Sequence, residues 1–401
     1  MEKLWIVTEI FYPEETSTAY ILTKIANRLA CRYEVHILCG PCGYEKRKRP
    51  EERPSGLHPS VSVAYLSKIN LNKNNLLARS ARLSLLSIRL GWALWKQVKK
   101  NERVLIVTNP APLLLLVSFL RRIRKFRLYV LVHDVFPENA VAAHLLSSGS
   151  VLYKGLRSLF NSAYSKADLL IVLGRDMKKV MKEKVARFSS VPRIEIIENW
   201  ADVQAIIPQD RAILSQIPLP KDKIVIQYAG NLGRVQGLLP FLERVKEARN
   251  PVVHLSFWGE GAVRKEMEKY VDTHHLKQVS FHGGYARNEQ NRVLNACDLA
   301  LVTLAEGMYG LGVPSKTYNI LAAGKAILFI GDLESEIALL LRETGIGYCF
   351  APSDQQGICR FLSELSFDDL TLFRAKGRLA RQWAEQFYSE EVMLNTYARL
   401  L

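Results

Sequence analysis

A short run of residues in the second half of the chain combines a bend, a hydroxyl group and a positive charge. Pro314, Ser315 and Lys316 stand directly before an apolar stretch that is typical of a helix. The first backbone N–H groups of a helix have no partner within it, and the helix dipole is positive there. With Ser315 as the cap and Lys316 as a full charge, the run predicts a phosphate site. Ordinary helix capping accounts for Pro314 and Ser315 equally well.

A second candidate for phosphate binding lies upstream, where a predicted buried strand at residues 224–229 leads into a glycine-bearing turn. The turn is Gly230-Asn231-Leu232-Gly233-Arg234, and a helical stretch follows from Leu238. A glycine has no Cβ, so the backbone can approach a diphosphate closely. The turn lacks the GxGxxG spacing of a dinucleotide fold, and glycine turns between strand and helix are common in structures of every function.

Two more glycine-bearing segments lie between these turns, Trp258-Gly259-Glu260-Gly261 and Phe281-His282-Gly283-Gly284. In order and spacing, the four segments resemble the carboxy-terminal domain of retaining glycosyltransferases of family 4, which have the GT-B architecture. The resemblance covers nearly the whole chain and is strongest to the bacterial subgroup that builds O-antigen, capsule and exopolysaccharide. In that subgroup a Pro-Ser-Lys turn recurs together with a segment that is here Val132-His133-Asp134-Val135-Phe136-Pro137-Glu138.

The resemblance implies a retaining transferase of hexosyl or N-acetylhexosaminyl type. It would move a sugar from a nucleotide-sugar donor, UDP-linked, to a lipid-linked or glycan acceptor in surface polysaccharide or lipopolysaccharide synthesis. A leaving diphosphate needs fixed positive charge and N–H dipoles around it. We expect the catalytic residues to be His133, Asp134, Arg234 and Lys316. The expected donor contacts are Gly230, Asn231, Gly233, Gly259, Gly283, Gly312, Val313, Pro314, Ser315 and Asn319, and the expected acceptor contacts are Glu14, Thr16 and Thr18.

The chain departs from the family pattern at a pair of glutamates separated by seven residues. Asn319 stands where the second glutamate is expected, and Leu311 stands eight residues earlier. An amide also hydrogen-bonds hydroxyl groups, so Asn319 is expected to keep the ribose contact with less charge. The departure also leaves open a catalytically impaired GT-B partner protein, and a sugar-nucleotide 2-epimerase on the same scaffold is a further alternative.

The resemblance also implies that no metal ion or other cofactor is needed. GT-B enzymes transfer sugars without a metal, and the chain has no Asp-x-Asp segment suited to bind one. The identity of a general base stays open, because in retaining enzymes of this type the departing phosphate can take the acceptor proton. The thioredoxin-like run Cys39-Gly40-Pro41-Cys42 is interpreted as part of a loop, because no helix follows it to lower a thiol pKa.

The charge of the chain is distributed unevenly. The net charge is +16, and residues 1–200 hold 33 lysines and arginines against 16 aspartates and glutamates. Residues 201–401 hold 22 against 23, so the whole excess lies in the first half. A one-sided basic domain predicts an anionic partner.

An anionic membrane is favoured as that partner over nucleic acid, for which no recognition motif is present. The stretch at residues 76–100 is rich in leucine and carries Trp92 and Trp95. Its basic residues follow at helical intervals, which predicts one amphipathic face. These residues are Arg82, Arg89, Lys96 and Lys100, with further clusters at Arg121–Lys125 and Lys46–Arg49. A solvated basic face is the alternative interpretation.

Neither a membrane-spanning helix nor a signal peptide is predicted. The apolar stretch at residues 104–120 is interrupted by Asn109, Pro110 and Pro112, which favours a strand, a turn and a short helix. The first apolar run lacks a basic leader and a cleavage site. We therefore expect a cytoplasmic protein that is peripheral on the inner face of the cell membrane.

Strands and helices alternate along the whole chain, which predicts an α/β protein with two doubly wound parallel sheets facing a cleft. The expected domains are residues 1–200 on the acceptor and membrane side, residues 201–380 for the nucleotide-sugar, and a helix at 381–401 that crosses back. Strands are predicted near residues 4–9, 34–39, 61–66, 104–108, 128–133, 169–173, 194–197, 224–229, 252–257, 279–281, 299–303, 326–330 and 347–350.

Overall fold

The computed structural model describes residues 1–14, 16–41, 56–68, 76–211, 214 and 217–401. The chain forms two compact units. The first contains residues 1–197 and 394–401, and the second contains residues 198–393. Each unit is built on one parallel sheet with helices in its crossover connections, so the predicted α/β class with two Rossmann-like sheets is confirmed. Cys42 and the cluster Lys46–Arg49 lie outside the described residues.

In the described part of the first unit, seven parallel strands lie in the order β3-β2-β1-β4-β5-β6-β7. The strands are β1 (Glu2–Thr8), β2 (Tyr33–Cys39), β3 (Val61–Tyr65), β4 (Arg103–Val107), β5 (Arg127–Val132), β6 (Leu169–Val172) and β7 (Arg193–Ile196). The helices are α1 (Ser17–Leu29), α2 (Leu76–Gln97), α3 (Ala111–Arg124), α4 (Glu138–Ala142), α5 (Val151–Ser165) and α6 (Arg175–Val185). The central strands are apolar runs because helices cover both faces of the sheet.

The second unit contains, within its described residues, six parallel strands in the order β10-β9-β8-β11-β12-β13. The strands are β8 (Ile224–Ala229), β9 (Val253–Trp258), β10 (Val279–His282), β11 (Leu299–Thr303), β12 (Ala326–Ile330) and β13 (Gly347–Phe350). The helices are α7 (Leu238–Ala248), α8 (Arg264–Thr273), α9 (Gln290–Asn295), α10 (Lys316–Ala322), α11 (Glu336–Thr344), α12 (Gln355–Glu364) and α13 (Asp369–Phe387), and α14 (Glu390–Leu400) ends the chain. Tyr228 and Phe257 lie among the buried residues of its core.

The helix predicted at residues 381–401 is not continuous, and the structure corrects this point. Residues 381–387 end α13, and α14 begins at Glu390. Between the two helices, Ser389 forms a β-bridge with Ala201, whose N–H donates to the carbonyl of Tyr388 at 2.7 Å. This pairing holds the backbone extended and separates the helices. In the first unit, the Tyr33 hydroxyl donates to the carbonyl of Leu401 at 2.7 Å.

The apolar stretch at residues 104–120 forms β4, a turn with a cis Asn109–Pro110 bond, and the start of α3. The predicted strand, turn and helix are confirmed. Across the described residues, no helix has both the length and the apolar character needed to cross a bilayer.

Candidate active site

Two glycine turns at the carboxyl ends of neighbouring strands of the second unit pack backbone against backbone. Gly230 follows β8 with φ +145°, and Gly259 follows β9 with φ +131°. A Cβ on Gly259 would overlap the carbonyl oxygen of Gly230, and one on Gly261 would overlap that of Leu232. The Gly230 N–H donates to the carbonyl of Trp258 at 2.8 Å. Only glycine fits this approach, so the two turns present one surface of bare backbone.

Lys316 brings a buried amine to this surface. Its Nζ lies 3.2 Å from the centroid of the Tyr228 ring, and a Cβ on Gly230 would stand 3.2 Å from the same Nζ. Within the described residues, Nζ is buried and has no hydrogen-bond partner. A ring face attracts an ammonium ion but does not replace the hydrogen bonds of water. Burial therefore lowers the pKa of Lys316 well below its ordinary value of 10.5.

The helix that begins at Lys316 is short, and its start is not capped by a side chain. The helix α10 has seven residues, and Ser315 stands at its N-cap position with helical dihedral angles. The predicted N-cap position of Ser315 is therefore confirmed, but its side chain accepts no hydrogen bond from the first turn. The lysine amine, and not a capped helix end, is the main basic feature of this turn.

The residues around Lys316 leave further polar groups unpaired. Pro314 accepts a hydrogen bond from Thr317 N–H at 3.1 Å, while Val313 is buried and Gly312 is half-buried. Within the described residues, the hydroxyl group of Thr317, next to Lys316 in the chain, is buried and unpartnered. The same is true of Thr303 at the end of β11. Buried polar groups are normally hydrogen-bonded, so the unpaired hydroxyl beside Lys316 favours a polar ligand.

Arg234 lies in the turn that follows the first of these glycines. It begins a single 3₁₀ turn at Arg234–Gln236, and its side chain is exposed with no partner among the described residues. Asn231 is also exposed, whereas Gly233 is buried against the Gln236 side chain. The carbonyl of Val235 accepts from the Ala305 N–H at 2.8 Å, which ties this turn to the loop after β11. Arg234 is therefore held on a fixed turn with all of its donors available.

Asn319 has a structural contact that the sequence does not predict. Its Oδ1 accepts a hydrogen bond from the Asp202 N–H at 3.3 Å, so the side chain links α10 to the segment that opens the second unit. Leu311 is 5% exposed and packs as a core residue. The two positions where the family resemblance predicts carboxylates therefore hold a neutral amide and a buried apolar side chain.

Two aromatic side chains at the ends of β9 and β10 lie next to the glycine turns. Trp258 stacks on His282 with ring centroids 4.2 Å apart. Arg264 donates to the carbonyls of Gly259 at 3.0 Å and His282 at 3.1 Å, which fixes the two strand ends together. Burial raises the pKa of Tyr285 to about 12, so its phenol stays neutral.

Gly283 is different from the other glycines of this edge. A Cβ there would come no closer than 3.9 Å to another atom, so packing does not require glycine at this position. Tyr228, Arg264 and Tyr285 were not among the site residues predicted from the sequence. Tyr228 carries a usable signal, since it is an aromatic residue two positions before Gly230 at the end of a strand.

In the first unit, His133 and Asp134 follow β5 at its carboxyl end. Both of their N–H groups donate to Thr108 Oγ1, each at 3.1 Å. Asp134 accepts from the amides of Asn109 at 2.7 Å and Asn139 at 2.9 Å. Burial raises the pKa of Asp134, and the two amide hydrogen bonds oppose that shift. Asp134 is thus fixed in one orientation.

His133 carries the unsatisfied atom of this group. Its Nε2 is buried and has no hydrogen-bond partner in the described part of the chain. Burial lowers the pKa of His133 to about 4, so the ring is neutral at physiological pH. A neutral imidazole can offer one nitrogen as a hydrogen-bond acceptor to a hydroxyl group.

The predicted acceptor contacts lie around the start of α1. Thr16 is the N-cap of that helix and accepts from the Ala19 N–H at 3.3 Å. Thr18 is half-buried in the first helical turn, and Glu14 is 7% exposed. Thr16 therefore has a capping role that accounts for its residue type, whereas a buried carboxylate such as Glu14 is uncommon.

Of the residues assigned to the donor, Gly230, Gly259 and Lys316 approach one another closely. The described residues contain no group of three or more His, Cys, Asp and Glu side chains arranged to hold a metal ion. The expectation of a metal-free reaction stays a prediction.

Comparison with known proteins gives the family. Residues 209–379 match the family described as glycosyl transferases group 1. The chain is 35% identical to the probable glycosyltransferase WbjE of Pseudomonas aeruginosa over 401 residues, which covers 99% of this chain and 97% of the relative. It is 23% identical over 225 residues to the putative colanic acid biosynthesis glycosyl transferase WcaI of Escherichia coli K12, covering 55% of this chain and 54% of that protein.

A solved structure shows the same fold. HepE of Anabaena, determined in complex with UDP and glucose, aligns with a TM-score of 0.69 at 15% identity and covers 100% of this chain and 99% of its own. The likeness in fold agrees with the two parallel sheets described above. The chain belongs to the group 1 glycosyltransferases and is an enzyme with the GT-B architecture.

Proposed function

We propose that this enzyme transfers a hexosyl or N-acetylhexosaminyl group from a UDP-sugar to a lipid-linked or glycan acceptor, with retention at the anomeric carbon. The observation that carries the proposal is the buried, unpartnered amine of Lys316 beside the bare backbone of Gly230 and Gly259. The amine has no hydrogen-bond partner among the described residues, and a bound diphosphate would supply a negatively charged one. HepE, of the same fold, was determined with UDP and glucose, which supports a UDP-sugar as the donor.

In the proposed reaction the bond between the anomeric carbon and the diphosphate oxygen breaks, and the acceptor oxygen bonds to the same face of that carbon. The electron pair of the broken bond goes to the diphosphate, where Lys316 and Arg234 stabilise the new charge. The acceptor hydroxyl gives its proton to the departing phosphate oxygen. No metal ion is required in this scheme, because the two side chains and the backbone N–H groups provide the positive potential.

The first unit is proposed to bind the transferred sugar and the acceptor. His133 offers an unpartnered Nε2 to a sugar or acceptor hydroxyl, and Asp134 holds the segment in place through Asn109 and Asn139. Glu14, Thr16 and Thr18 are the proposed acceptor contacts at the start of α1. A colanic acid enzyme among the relatives supports surface polysaccharide synthesis as the process.

We also propose that α2 and α3 bind the first unit to an anionic membrane at the cytoplasmic face. The helices cross closely, since a Cβ on Gly91 would overlap Leu116. Large apolar side chains on the two helices remain exposed. These are Ile88 at 59%, Trp92 at 60%, Phe119 at 57% and Ile123 at 51%. Lys96 lies over the Trp92 ring at 5.2 Å, and Arg122 is exposed, so basic and apolar groups alternate on this surface.

Two of the four basic residues predicted for one exposed face of α2 depart from that prediction. Arg82 is 13% exposed at its side chain and pairs with Glu9 at 2.9 Å. Lys100 lies beyond the end of α2 at Gln97. The helical intervals between the basic residues predicted one face. In the structure, however, Arg82 pairs with Glu9, which follows β1, and its side chain is therefore mostly buried.

The function is tested by two experiments with a panel of nucleotide-sugars. In thermal-shift titrations, we expect UDP-sugars to raise the melting temperature most, because a ligand that binds only the native state stabilises it. In transfer assays, we expect activity with UDP-sugars. Release of UDP should depend on a lipid-linked or glycan acceptor, and the product should keep the anomeric configuration of the donor. Conversion of the donor without an acceptor would indicate an epimerase, and binding without turnover would indicate an impaired enzyme; either result contradicts the proposal.

The membrane surface is tested by co-sedimentation with anionic and neutral vesicles at low and high salt. Each basic residue near an anionic surface contributes about 1 kcal/mol. Lys96→Glu with Arg122→Glu is therefore expected to reduce binding, and Trp92→Ser with Ile123→Ser to weaken what remains at high salt. The matched control is Lys166→Glu with Lys182→Glu, which changes the same net charge on α6 and the end of α5. Equal loss in the control would show that only net charge matters.

A further inference from the structure

A pocket in the second unit, at the amino ends of the sheet strands, has a basic lining that the proposed reaction does not use. Its volume is about 490 Å³, within the range typical of small-molecule sites. It lies between one face of α13, the segment Pro208–Arg211, and the residues that precede β11 and β12. Lys316 stands at the carboxyl-end side of the same sheet. A five-residue strand spans about 16 Å, so the two places are separate.

The lining has more positive than negative charge. Five basic side chains line the pocket against two carboxylates, Asp210 and Asp298. Two of the five are committed to the fold. Arg211 donates to Asp298 and to two backbone carbonyls, and Arg381 donates to three backbone carbonyls and to Glu385. These two arginines fix the walls of the pocket.

The other three basic side chains keep donors that nothing in the described residues uses. Lys325 has three N–H donors and makes one hydrogen bond, to the carbonyl of Gln209 at 3.2 Å. Arg374 lies 3.8 Å from Asp210, beyond hydrogen-bond distance, and both side chains are mostly exposed. Arg378 has no ion-pair or hydrogen-bond partner in the described part of the chain and lines the pocket. A weak surface pair such as Arg374–Asp210 contributes little and is easily replaced.

The floor of the pocket is formed by a close backbone contact. A Cβ on Gly377 would overlap the carbonyl oxygen of Gly324, which has φ +63°. Two glycines therefore let α13 approach the turn that carries Lys325. Lys325, Arg374 and Arg378 all line the pocket beside this contact, and the two arginines stand one helical turn apart on the same face of α13.

From this arrangement we propose that the pocket binds the phosphate or diphosphate group of a small molecule. Two guanidinium groups and an ammonium match the several oxygens of a phosphate, since arginine forks bind them in pairs and lysine binds as a point charge. Desolvation lowers the pKa of Lys325, and an anion in the pocket would offset that cost. The inference rests on the pocket alone and does not depend on the donor or acceptor proposed above.

The test is calorimetric titration of the full chain with inorganic pyrophosphate at low ionic strength. It is run in the Lys316→Met background, in which binding at the candidate donor site is expected to be about a hundredfold weaker. We expect one binding event. Arg374→Glu with Arg378→Glu, and separately Lys325→Gln, should weaken it about tenfold or more, as expected for the loss of charge-assisted contacts.

Lys277→Glu with Arg360→Glu is the matched control, because both residues are exposed in the same unit, lie outside the pocket and give the same change of charge. It should leave the affinity unchanged, and melting curves check that all variants fold. Glucose 6-phosphate and UDP, titrated in the same background, then distinguish a sugar phosphate from a nucleotide as the occupant. No binding in the Lys316→Met background, or equal weakening by the control pair, would overturn the proposal.

Discussion

Lys316 makes the pH dependence of donor binding predictable. In the ligand-free protein its amine is buried without a partner, and its pKa lies well below 10.5. A bound diphosphate favours the ammonium form and returns the pKa toward or above that value. At any pH between the free and bound pKa values, binding must take up one proton. Affinity for UDP should therefore fall about tenfold for each pH unit in that window, or about 1.4 kcal/mol per unit.

The assay is calorimetric titration with UDP across the alkaline range, comparing the wild type with Lys316→Met. Methionine keeps the apolar stem of the side chain and removes the titrating amine. We expect the variant to bind at least about a hundredfold more weakly near neutral pH, the usual effect of removing one preorganised donor. Its affinity should also lack the steep alkaline decline. Lys277→Met, an exposed lysine in the same unit, is the control and should retain it.

The free energy of unfolding of the ligand-free protein should rise with pH through Lys316, whereas the affinity for UDP should fall. Between the folded pKa of Lys316 and 10.5, the unfolded chain binds a proton that the folded chain lacks. Protonation then favours unfolding, so this lysine destabilises the fold most at low pH and the effect disappears as pH rises through 10.5. Lys316→Met should be more stable than the wild type at neutral pH, by a margin that narrows with rising pH. Parallel pH curves for the two proteins, in binding and in stability, would refute this account of Lys316.

Four further outcomes are expected of the proposed mechanism. Arg234→Ala should lower turnover about a hundredfold with an unchanged melting temperature, since it removes an exposed donor for the leaving group; near-normal turnover would remove Arg234 from the site. Asn319→Glu should keep or tighten UDP binding in a thermal-shift titration, because a carboxylate accepts from two hydroxyls; lost binding in a folded protein would show that Asn319 does not face the ribose. Turnover that depends on His133 should be constant near neutral pH and decline as pH approaches 4, the pKa at which its ring gains a proton, and His133→Gln should lose that step of the pH profile. EDTA should have little effect, and a loss restored by Mg²⁺ or Mn²⁺ would contradict the metal-free scheme.

The positions of the strands could be predicted from the sequence because they depend on local composition. A strand of a parallel sheet with both faces covered is a continuous apolar run, as in Val104–Val107, and such runs are visible without any tertiary information. The predicted strands agree with the observed ones to within about two residues, the usual scatter at element ends. The break between α13 and α14 could not be predicted, because it depends on pairing between Ser389 and Ala201, which are far apart in sequence.

Only part of the candidate site could be predicted from the sequence. The glycines after β8 and β9 could be identified because their turns follow apolar strands. The burial of Lys316 against Tyr228 could not, since it results from two distant segments meeting at one edge of the sheet. For the same reason the sequence suggested a serine cap at Ser315, whereas the structure leaves that side chain without a capping hydrogen bond.

The contrast between Lys316 and Arg234 suggests why the proposed site uses two basic residues of different kinds. Arg234 is exposed and permanently charged, so it attracts anions from solution whether or not a ligand is bound. The amine of Lys316 is buried and its pKa is lowered, so at a pH between its free and bound pKa values it gains a proton when the diphosphate binds. A neutral sugar neither is attracted by Arg234 nor protonates Lys316. In this arrangement Arg234 speeds the encounter with an anionic ligand, and Lys316 discriminates between a diphosphate and a neutral ligand. Replacing Lys316 by arginine would remove that discrimination, because a guanidinium keeps its charge in the empty site. Lys316→Arg is therefore expected to abolish proton uptake on UDP binding, measured by calorimetry in buffers of different ionisation enthalpy; uptake equal to that of the wild type would assign the proton to another group.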